Sequence, residues 1–338
     1  MSATAARRRE PAMEDVARVA GVSGQTVSRV VNGRGYVGEA TRVKVVSAMA
    51  ELGYRPNSAA RALRSGRFRA VGVIMSTLAS YGNHRTLDAI AVRAAAAGYA
   101  LTLIPVDSAS PSDVTGAFDR LGEHAVDGII ILIEAHRLDE AEVEIPDGLP
   151  VVVIDSNRRD PHPFVDIDQA QGARMATEHL LGLGHETVWH LAGPAESYAA
   201  ERRRASWQAT LEAWGRAAPS PIEGDWSPRS GYEAGLRLRE QSDVTAIFAA
   251  NDQMAIGLLR AYHEVGRAIP AQVSVVGFDD MSDAEYAWPP LTTVRQHFES
   301  VGERAIDALI TELAGEDPGE QALVPTELVV RASTGPRA

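Results

Sequence analysis

Across residues 13–20 the apolar positions Val16, Ala17, Val19 and Ala20 fall on one helical stripe. Glu14, Asp15 and Arg18 turn away from it, so a short amphipathic helix is predicted. Gly21 supplies the permissive backbone of a tight turn, Val22 plugs the angle, and Ser23 is an N-cap for a second helix over 24–31. On that helix Val27, Val30 and Val31 point inward. A third amphipathic helix is expected over 41–52, with Val43, Val45, Val46, Met49 and Leu52 available for a core. Gly53 ends it, Pro56 marks a break, and Asn57 is placed to cap a short helix, 58–63, before the loose basic run 64–69.

The period changes at Ala70. Short Val/Ile-rich strands are expected at 70–75, 100–105, 128–132 and 151–154, with helices between the first three. A second set follows: helix 169–183, strand 187–192, helices 199–214 and 231–241, strand 246–249, helix 253–265 and strand 273–277, with a last strand at 327–332. Alternation of this kind predicts an α/β fold of doubly wound parallel sheets in two lobes, with a ligand in the cleft outside the carboxyl ends of the strands.

The polar face of the second helix carries the first candidate chemistry. Gln25, Thr26, Ser28 and Arg29 face outward; a Gln amide can pair with adenine, Arg can pair bidentately with guanine, and the first turn of a recognition helix is where such groups meet base edges. The net charge of −12 looks wrong for a DNA-binding protein until it is divided. Residues 1–69 hold 13 Lys and Arg against 5 Asp and Glu, a balance of +8, and the remainder carries −20. A basic head on an acidic body concentrates phosphate attraction at one end.

The chain has no cysteine, which excludes disulfides, thiolate metal sites and cysteine nucleophiles. No run approaches the ~20 apolar residues that cross a bilayer, and the arginines of residues 1–10 have no hydrophobic segment behind them, so no membrane partner and a cytoplasmic location are expected. His185, Glu186 and His190 miss the spacing of a helical zinc site, GVSGQ at 21–25 lacks the last glycine of a nucleophile elbow, and no phosphate-binding glycine loop is present. Neither an enzyme nor a cofactor is expected. An oxidoreductase with a basic tail lacks the dinucleotide fingerprint, and an exported sugar-binding protein would need a signal segment and no headpiece.

Several segments together resemble the LacI/GalR family of transcriptional regulators, nearly end to end. They are DVARVAGVSGQTVSRVVN at 15–32, TRVKVVSAMAELGYRPN at 41–57, VDGIII at 126–131, EHLLGLGHE at 178–186, LAGP at 191–194, GDWSPRSGYE at 224–233, AANDQMAIG at 249–257, SVVGFDD at 274–280 and PPLTTVRQ at 289–296. GDWS, ANDQMA and LTTVRQ point to the lactose branch of that family.

The resemblance implies an N-terminal three-helix helix-turn-helix headpiece (1–56), a hinge helix and linker (57–69), and a two-lobed effector-binding and dimerisation domain like periplasmic binding proteins (70–338). It implies a homodimer on a double-stranded operator. Gly24, Gln25 and Arg29 take the positions that read bases, with Ser23, Thr26, Ser28 and Asn32 completing the DNA-facing set. Gly24 departs from the branch, which has an aromatic residue there. Asn57, Ala60 and Leu63 fall on the hinge helix, where Leu63 would wedge into a minor-groove step.

Ser76, Asp155, Arg203, Trp226, Asn251, Asp279, Gln296 and Phe298 match positions that contact the effector. Their chemistry suits a sugar, a galactoside first: carboxylates accept from hydroxyls, Asn and Gln both donate and accept, Arg donates in a fork, and an indole covers a pyranose C–H face. Ser80, Asn83 and Thr86 make the first-lobe wall more polar than the branch has it, and Ala199 replaces a serine, which favours a ligand with a polar second unit such as a disaccharide. A non-sugar ligand such as a nucleobase on the same fold, or a sugar-binding protein with no DNA role, are the alternatives. The chain stops soon after strand 327–332 with no heptad tail, which predicts a dimer rather than a tetramer.

Overall fold

A computed structural model describes residues 11–32, 35–55, 66–106, 111–123, 125–133, 148–154, 162–241, 243–319 and 323–337. It divides into two compact units, 1–68 and 69–338.

The small unit is built from α1 (Met13–Ala20), α2 (Gly24–Asn32) and α3 (Glu39–Leu52). Val16, Ala17, Ala20, Val27, Val30, Val45 and Ala48 form its core, with Val22, Val31, Met49 and Leu52 packed against them. Gly21 takes the left-handed conformation (φ +66°) that ends α1, and the Val22 amide donates to the Ala17 carbonyl at 3.0 Å. Three valines expected in the core lie outside it: Val19 is 43% exposed, and Val43 and Val46 are each 54% exposed. The buried stripe of α3 runs through 45, 48, 49 and 52, a spacing of i, i+3, i+4 and i+7 that leaves 43 and 46 on its flanks.

The large unit runs, in chain order, through β1 (Ala70–Met75), α4 (Tyr81–Ala96), β2 (Ala100–Pro105), α5 (Pro111–Glu123), β3 (Gly128–Leu132), β4 (Val151–Ile154) and β5 (Phe164–Ile167). There follow α6 (Gln169–Gly182), β6 (Trp189–Ala192), α7 (Tyr198–Ala213), β7 (Ile222–Glu223), α8 (Pro228–Leu238), β8 (Ala246–Ala249), α9 (Asp252–Glu264) and β9 (Ser274–Asp279). The chain closes with β10 (Thr292–Arg295), α10 (Phe298–Leu313), β11 (Leu323–Val324) and β12 (Glu327–Val329).

One sheet has the order β11-β5-β4-β3-β1-β2 and the other β12-β10-β9-β8-β6-β7. Among the described residues every strand pairing is parallel except β10 with β12. Each sheet is buried on both faces, which is why its strands read as continuous Val/Ile runs rather than alternating ones. In lobe 1, α4 and α10 cover one face through Ile90, Val301, Ile306 and Leu309, and α5 covers the other through Val114, Phe118 and Leu121. In lobe 2, α8 and α9 cover one face and α6 and α7 the other.

The lobes are not successive in sequence. Helix α10 and strand β11 return to lobe 1, so the chain crosses between lobes three times, near residues 168, 296 and 325. The crossings are tied together. The Asp168 amide donates to the Val324 carbonyl at 2.9 Å, and the Gln171 side-chain oxygen accepts from the Thr326 amide at 2.8 Å and its hydroxyl at 3.1 Å. Gln169 Nε2 donates to Gln296 Oε1 at 3.2 Å. Among the described residues, no helix is long and apolar enough to cross a membrane.

Candidate ligand cleft and nucleic-acid interface

Helix α2 is capped from its own sequence. The Ser23 hydroxyl accepts from the Thr26 amide at 3.2 Å and lies 3.0 Å from the Thr26 hydroxyl. Serine and threonine are thereby committed to the helix start, while Gln25 and Arg29, one turn apart, are exposed on a shared face; Ser28 is half-buried. No acidic residue occupies the first turn, so nothing offsets the positive end of the helix where a phosphate would sit. A Cβ added at Gly24 would meet nothing within 4 Å. Asn32 closes the helix. Asn57, Ala60 and Leu63 lie outside the described residues.

The cleft lies between the lobes, where both sheets present the carboxyl ends of their strands. Leu132 and Ile154 come from strand ends of lobe 1, and Asn251, Asp279 and Gln296 from the ends of β8, β9 and β10. The first turns of α4 bring Ser80, Asn83 and Thr86, and α7 brings Ala199 and Arg203. Phe298 and Trp226 complete a cavity of about 90 Å³. Ser76 is not on this wall; β1 ends before it, and the chain reaches the cleft only at Ser80. Asp155 lies outside the described residues.

Arg203, 4% exposed, anchors the floor. Its Nε donates to Gln169 Oε1 at 2.8 Å and its Nη1 to the Ala250 carbonyl, and its guanidinium lies 3.8 Å from the Phe278 ring centroid and 5.4 Å from that of Trp226. From Gln169 the bonds continue to Gln296, whose Nε2 donates to Asp279 Oδ1 at 2.5 Å. Four buried polar side chains thus form one chain that includes residues of two crossings. Networks of this kind hold their members in one geometry only when every link is made.

Asn251 has two structural duties. Its Oδ1 accepts from the Met254 amide at 2.9 Å, capping α9, and its Nδ2 donates to the Trp226 carbonyl at 3.0 Å. One amide hydrogen and one lone pair of the side chain are left over from these two bonds. Trp226 holds φ +70° and its ring lies over Gly193, where a Cβ would stand 2.3 Å from the indole. Asp279 and Asp280 also have positive φ, +117° and +52°. Backbone held in such regions costs of order 1–3 kcal/mol and gathers at ligand sites.

The strained pair sends its carboxylates apart. Asp280 accepts from Arg295 at 2.7 Å and Arg331 at 2.6 Å, whereas Asp279 faces the cleft. Burial raises the Asp279 carboxyl to about 6 against the pull of Arg203 and the Gln296 hydrogen bond. Beneath it Asp252, fully buried, accepts from the Thr293 hydroxyl at 2.5 Å and the Met281 amide at 2.9 Å. Burial, reinforced by the Asp279 charge, pushes the Asp252 carboxyl well above the ordinary range.

Two polar wall residues escape the sequence reading, Asp166 and Gln169. Their segment, DIDQ, begins inside a strand of four residues that starts just after Pro163 and is too short to show a period. A second cavity of about 840 Å³ lies at the far end of lobe 2. Its basic groups are engaged: Arg267 donates to the carbonyls of Leu238, Arg239 and Val244, and Arg337 pairs with Glu186 at 2.6 Å.

Comparison with known proteins agrees with this geometry. Residues 12–57 match the model of bacterial regulatory proteins of the lacI family, and residues 177–334 match a periplasmic binding protein-like domain. The chain is 37% identical to the lactose operon repressor of Escherichia coli (strain K12), over 95% of this chain and 89% of that one. It is 29% identical to the HTH-type transcriptional repressor PurR of Haemophilus influenzae (strain PittEE), over 95% and 98%. A structure of the lac repressor bound to ONPG in the repressed state superposes with a TM-score of 0.88 at 35% identity, covering 96% of this chain and 100% of that one. A complex of the transcriptional regulator CelR with cellobiose superposes with 0.67 at 31% identity, covering 96% and 99%. The headpiece, the two-lobed body and end-to-end similarity to repressors rather than enzymes lead to one assignment: the chain belongs to the LacI family of DNA-binding transcriptional regulators.

Proposed function

We propose that this repressor reads a double-stranded operator as a homodimer through α2 and releases it when a neutral saccharide, a galactoside first, bridges the two lobes. The observation that carries the reading is the convergence of Arg203, Asn251, Asp279 and Gln296 with the Trp226 indole on one cleft at the strand ends of both sheets. Donors, acceptors and an aromatic face in one place suit a polyhydroxylated ring. The similarity to a lactose operon repressor favours a galactoside, and the similarity to a regulator in complex with cellobiose keeps a glucoside in the test.

Gln25 and Arg29 are the base-reading side chains, with Ser23 and Thr26 fixing the helix start. A ligand touching both lobes biases their angle at the three crossings. The segment 57–69, which carries Asn57, Ala60 and Leu63, passes that bias to the headpiece. A coupling of about 1–3 kcal/mol shifts operator affinity about 5- to 150-fold.

The test is isothermal titration of the full chain with galactosides, glucosides and nucleobases, beside Asp279→Ala. Binding of a galactoside or glucoside that the variant loses is the expected result. Binding of a nucleobase alone, or of nothing in the panel, overturns the saccharide assignment.

A further inference from the structure

Residues at the start of α6 tie the first crossing to the other two, and one of these ties runs along the cleft wall. Asp168 and Gln171 bond to Val324 and Thr326 of the last crossing, and none of these four lines the cleft. Gln169, 5% exposed, bonds instead to Gln296 at the second crossing, and both line the cleft together with Arg203 and Asp279.

The direction of these bonds is fixed at their ends. A guanidinium only donates and an ionised carboxylate only accepts. Arg203 Nε takes the oxygen of the Gln169 amide, which leaves Gln169 Nε2 to donate to Gln296 Oε1 and Gln296 Nε2 to donate to Asp279 Oδ1. Neither amide can turn over alone without setting two donors or two acceptors face to face, and in a buried chain such a mismatch is costly. A ligand that accepts from Arg203 or donates to Asp279 competes at one end of the chain. Through Gln169 that competition reaches two crossings.

We propose that Gln169 is the positioning residue that couples ligand binding to the lobe angle, holding the first and second crossings in register until a ligand competes for Arg203 or Asp279. This rests on the saccharide reading above. A buried amide that served stability alone would affect melting and saccharide affinity, but not the factor by which saturating saccharide lowers operator affinity.

Glutamate at position 169 makes a sharper probe than simple removal. Its carboxylate still accepts from Arg203 but cannot donate to Gln296. Gln296 then has to turn its nitrogen to position 169 and its oxygen to Asp279, two acceptors face to face unless a proton lies between them. Burial already raises the Asp279 carboxyl to about 6, so that proton is present in mild acid. The charged and titratable groups facing the chain are Arg203 on α7, Asp252 on α9, Asp166 on β5 with its Arg202 partner, and Tyr81 on α4. Asp280 turns away to Arg295 and Arg331.

The experiment measures the affinity of the full-length protein for a selected operator duplex without and with saturating lactose, o-nitrophenyl galactoside or cellobiose, at pH 5 and pH 9. The variants are Gln169→Met and Gln169→Glu, with thermal melts alongside. The ratio of the two operator affinities is read at saturation, so it does not depend on how tightly the saccharide binds. The unmodified protein is expected to show a ratio of about 5- to 150-fold at both pH values. In Gln169→Met the ratio is expected to fall below about twofold at both, and in Gln169→Glu to fall at pH 9 and recover at pH 5. An unmodified ratio in a folded Gln169→Met, or a Gln169→Glu ratio that does not change with pH, overturns the proposal; if Gln169→Met does not fold, the glutamate variant decides. If no probe binds the unmodified protein, the saccharide reading falls and this inference with it. If the probes bind and both variants keep the unmodified ratio, only this inference falls.

Discussion

At Gly24 the recognition helix has a vacancy rather than a constraint. The backbone is helical and a Cβ there would meet nothing within 4 Å, so Gly24→Tyr is expected to fold normally, with a stability change within about 1 kcal/mol, and to alter the operator preferred in selection from a random duplex library. An unchanged preference would remove position 24 from the reading surface. Asp279 allows a prediction with a sign. Its carboxyl titrates near 6 when folded, above its ordinary value near 3.8, so its contribution to stability is full below pH 4 and is lost as pH rises through 6. Relative to Asp279→Asn, the unmodified protein should lose roughly 3 kcal/mol between pH 4 and pH 7 in urea melts, the worth of a carboxyl so displaced. The same ionisation should favour ligand hydroxyls, strengthening saccharide binding as pH passes 6. A difference between the two proteins that does not vary with pH would contradict both statements.

At the scale of elements, the contact between the end of β6 and the loop before α8 sets the aromatic wall. Gly193→Ala places a methyl 2.3 Å from the Trp226 ring, which has to move; saccharide affinity is expected to fall more than about tenfold, with a shift in tryptophan emission and a cost to stability of about 1–3 kcal/mol. Binding unchanged beside a shifted emission would take Trp226 out of the ligand site. The elements that were legible in the sequence are those with long apolar runs. Strands β1 to β4 and β8 occupy the residues expected of them; β1, β3 and β4, buried nearly throughout, advertise themselves as near-continuous Val/Ile. Strands β5, β7, β10 and β11 are short and give no period, and β5 carries Asp166 with it out of sight. Helix α10 is absent from the expected elements although Phe298, Val301, Ala305, Ile306 and Leu309 repeat at helical spacing. What that repeat does not reveal is its destination. Nothing local to residues 298–313 says that they pack in lobe 1, because the choice is made by the shape of the partner surface. Of the cleft, the lobe 2 members are readable from motifs, whereas the Arg203–Gln169–Gln296–Asp279 chain joins residues up to 127 positions apart in sequence and needs the fold to be seen.

At the scale of the whole molecule, a basic headpiece on an acidic body should make operator binding fall steeply with salt, by more than about tenfold between 50 and 200 mM, as counterions return to the phosphates. A flat salt response would undermine the assignment of α2. Self-association has surface candidates of its own. Tyr286 and Trp288, in the loop between β9 and β10, are 81% and 85% exposed, unusual for large aromatic side chains. Trp288→Ala is expected to raise the dissociation constant of the dimer in light scattering or sedimentation, and an unchanged constant would place the interface elsewhere. The central claim is that one free energy links the cleft to the headpiece, and linkage is reciprocal: if a saccharide lowers operator affinity by some factor, the operator lowers saccharide affinity by the same factor. The most direct measurement is titration of the best-binding saccharide into the full-length protein with and without a saturating selected operator duplex. Saccharide affinity is expected to fall about 5- to 150-fold on DNA, matching the loss of operator affinity at saturating saccharide. Identical saccharide affinity in the two titrations would contradict it.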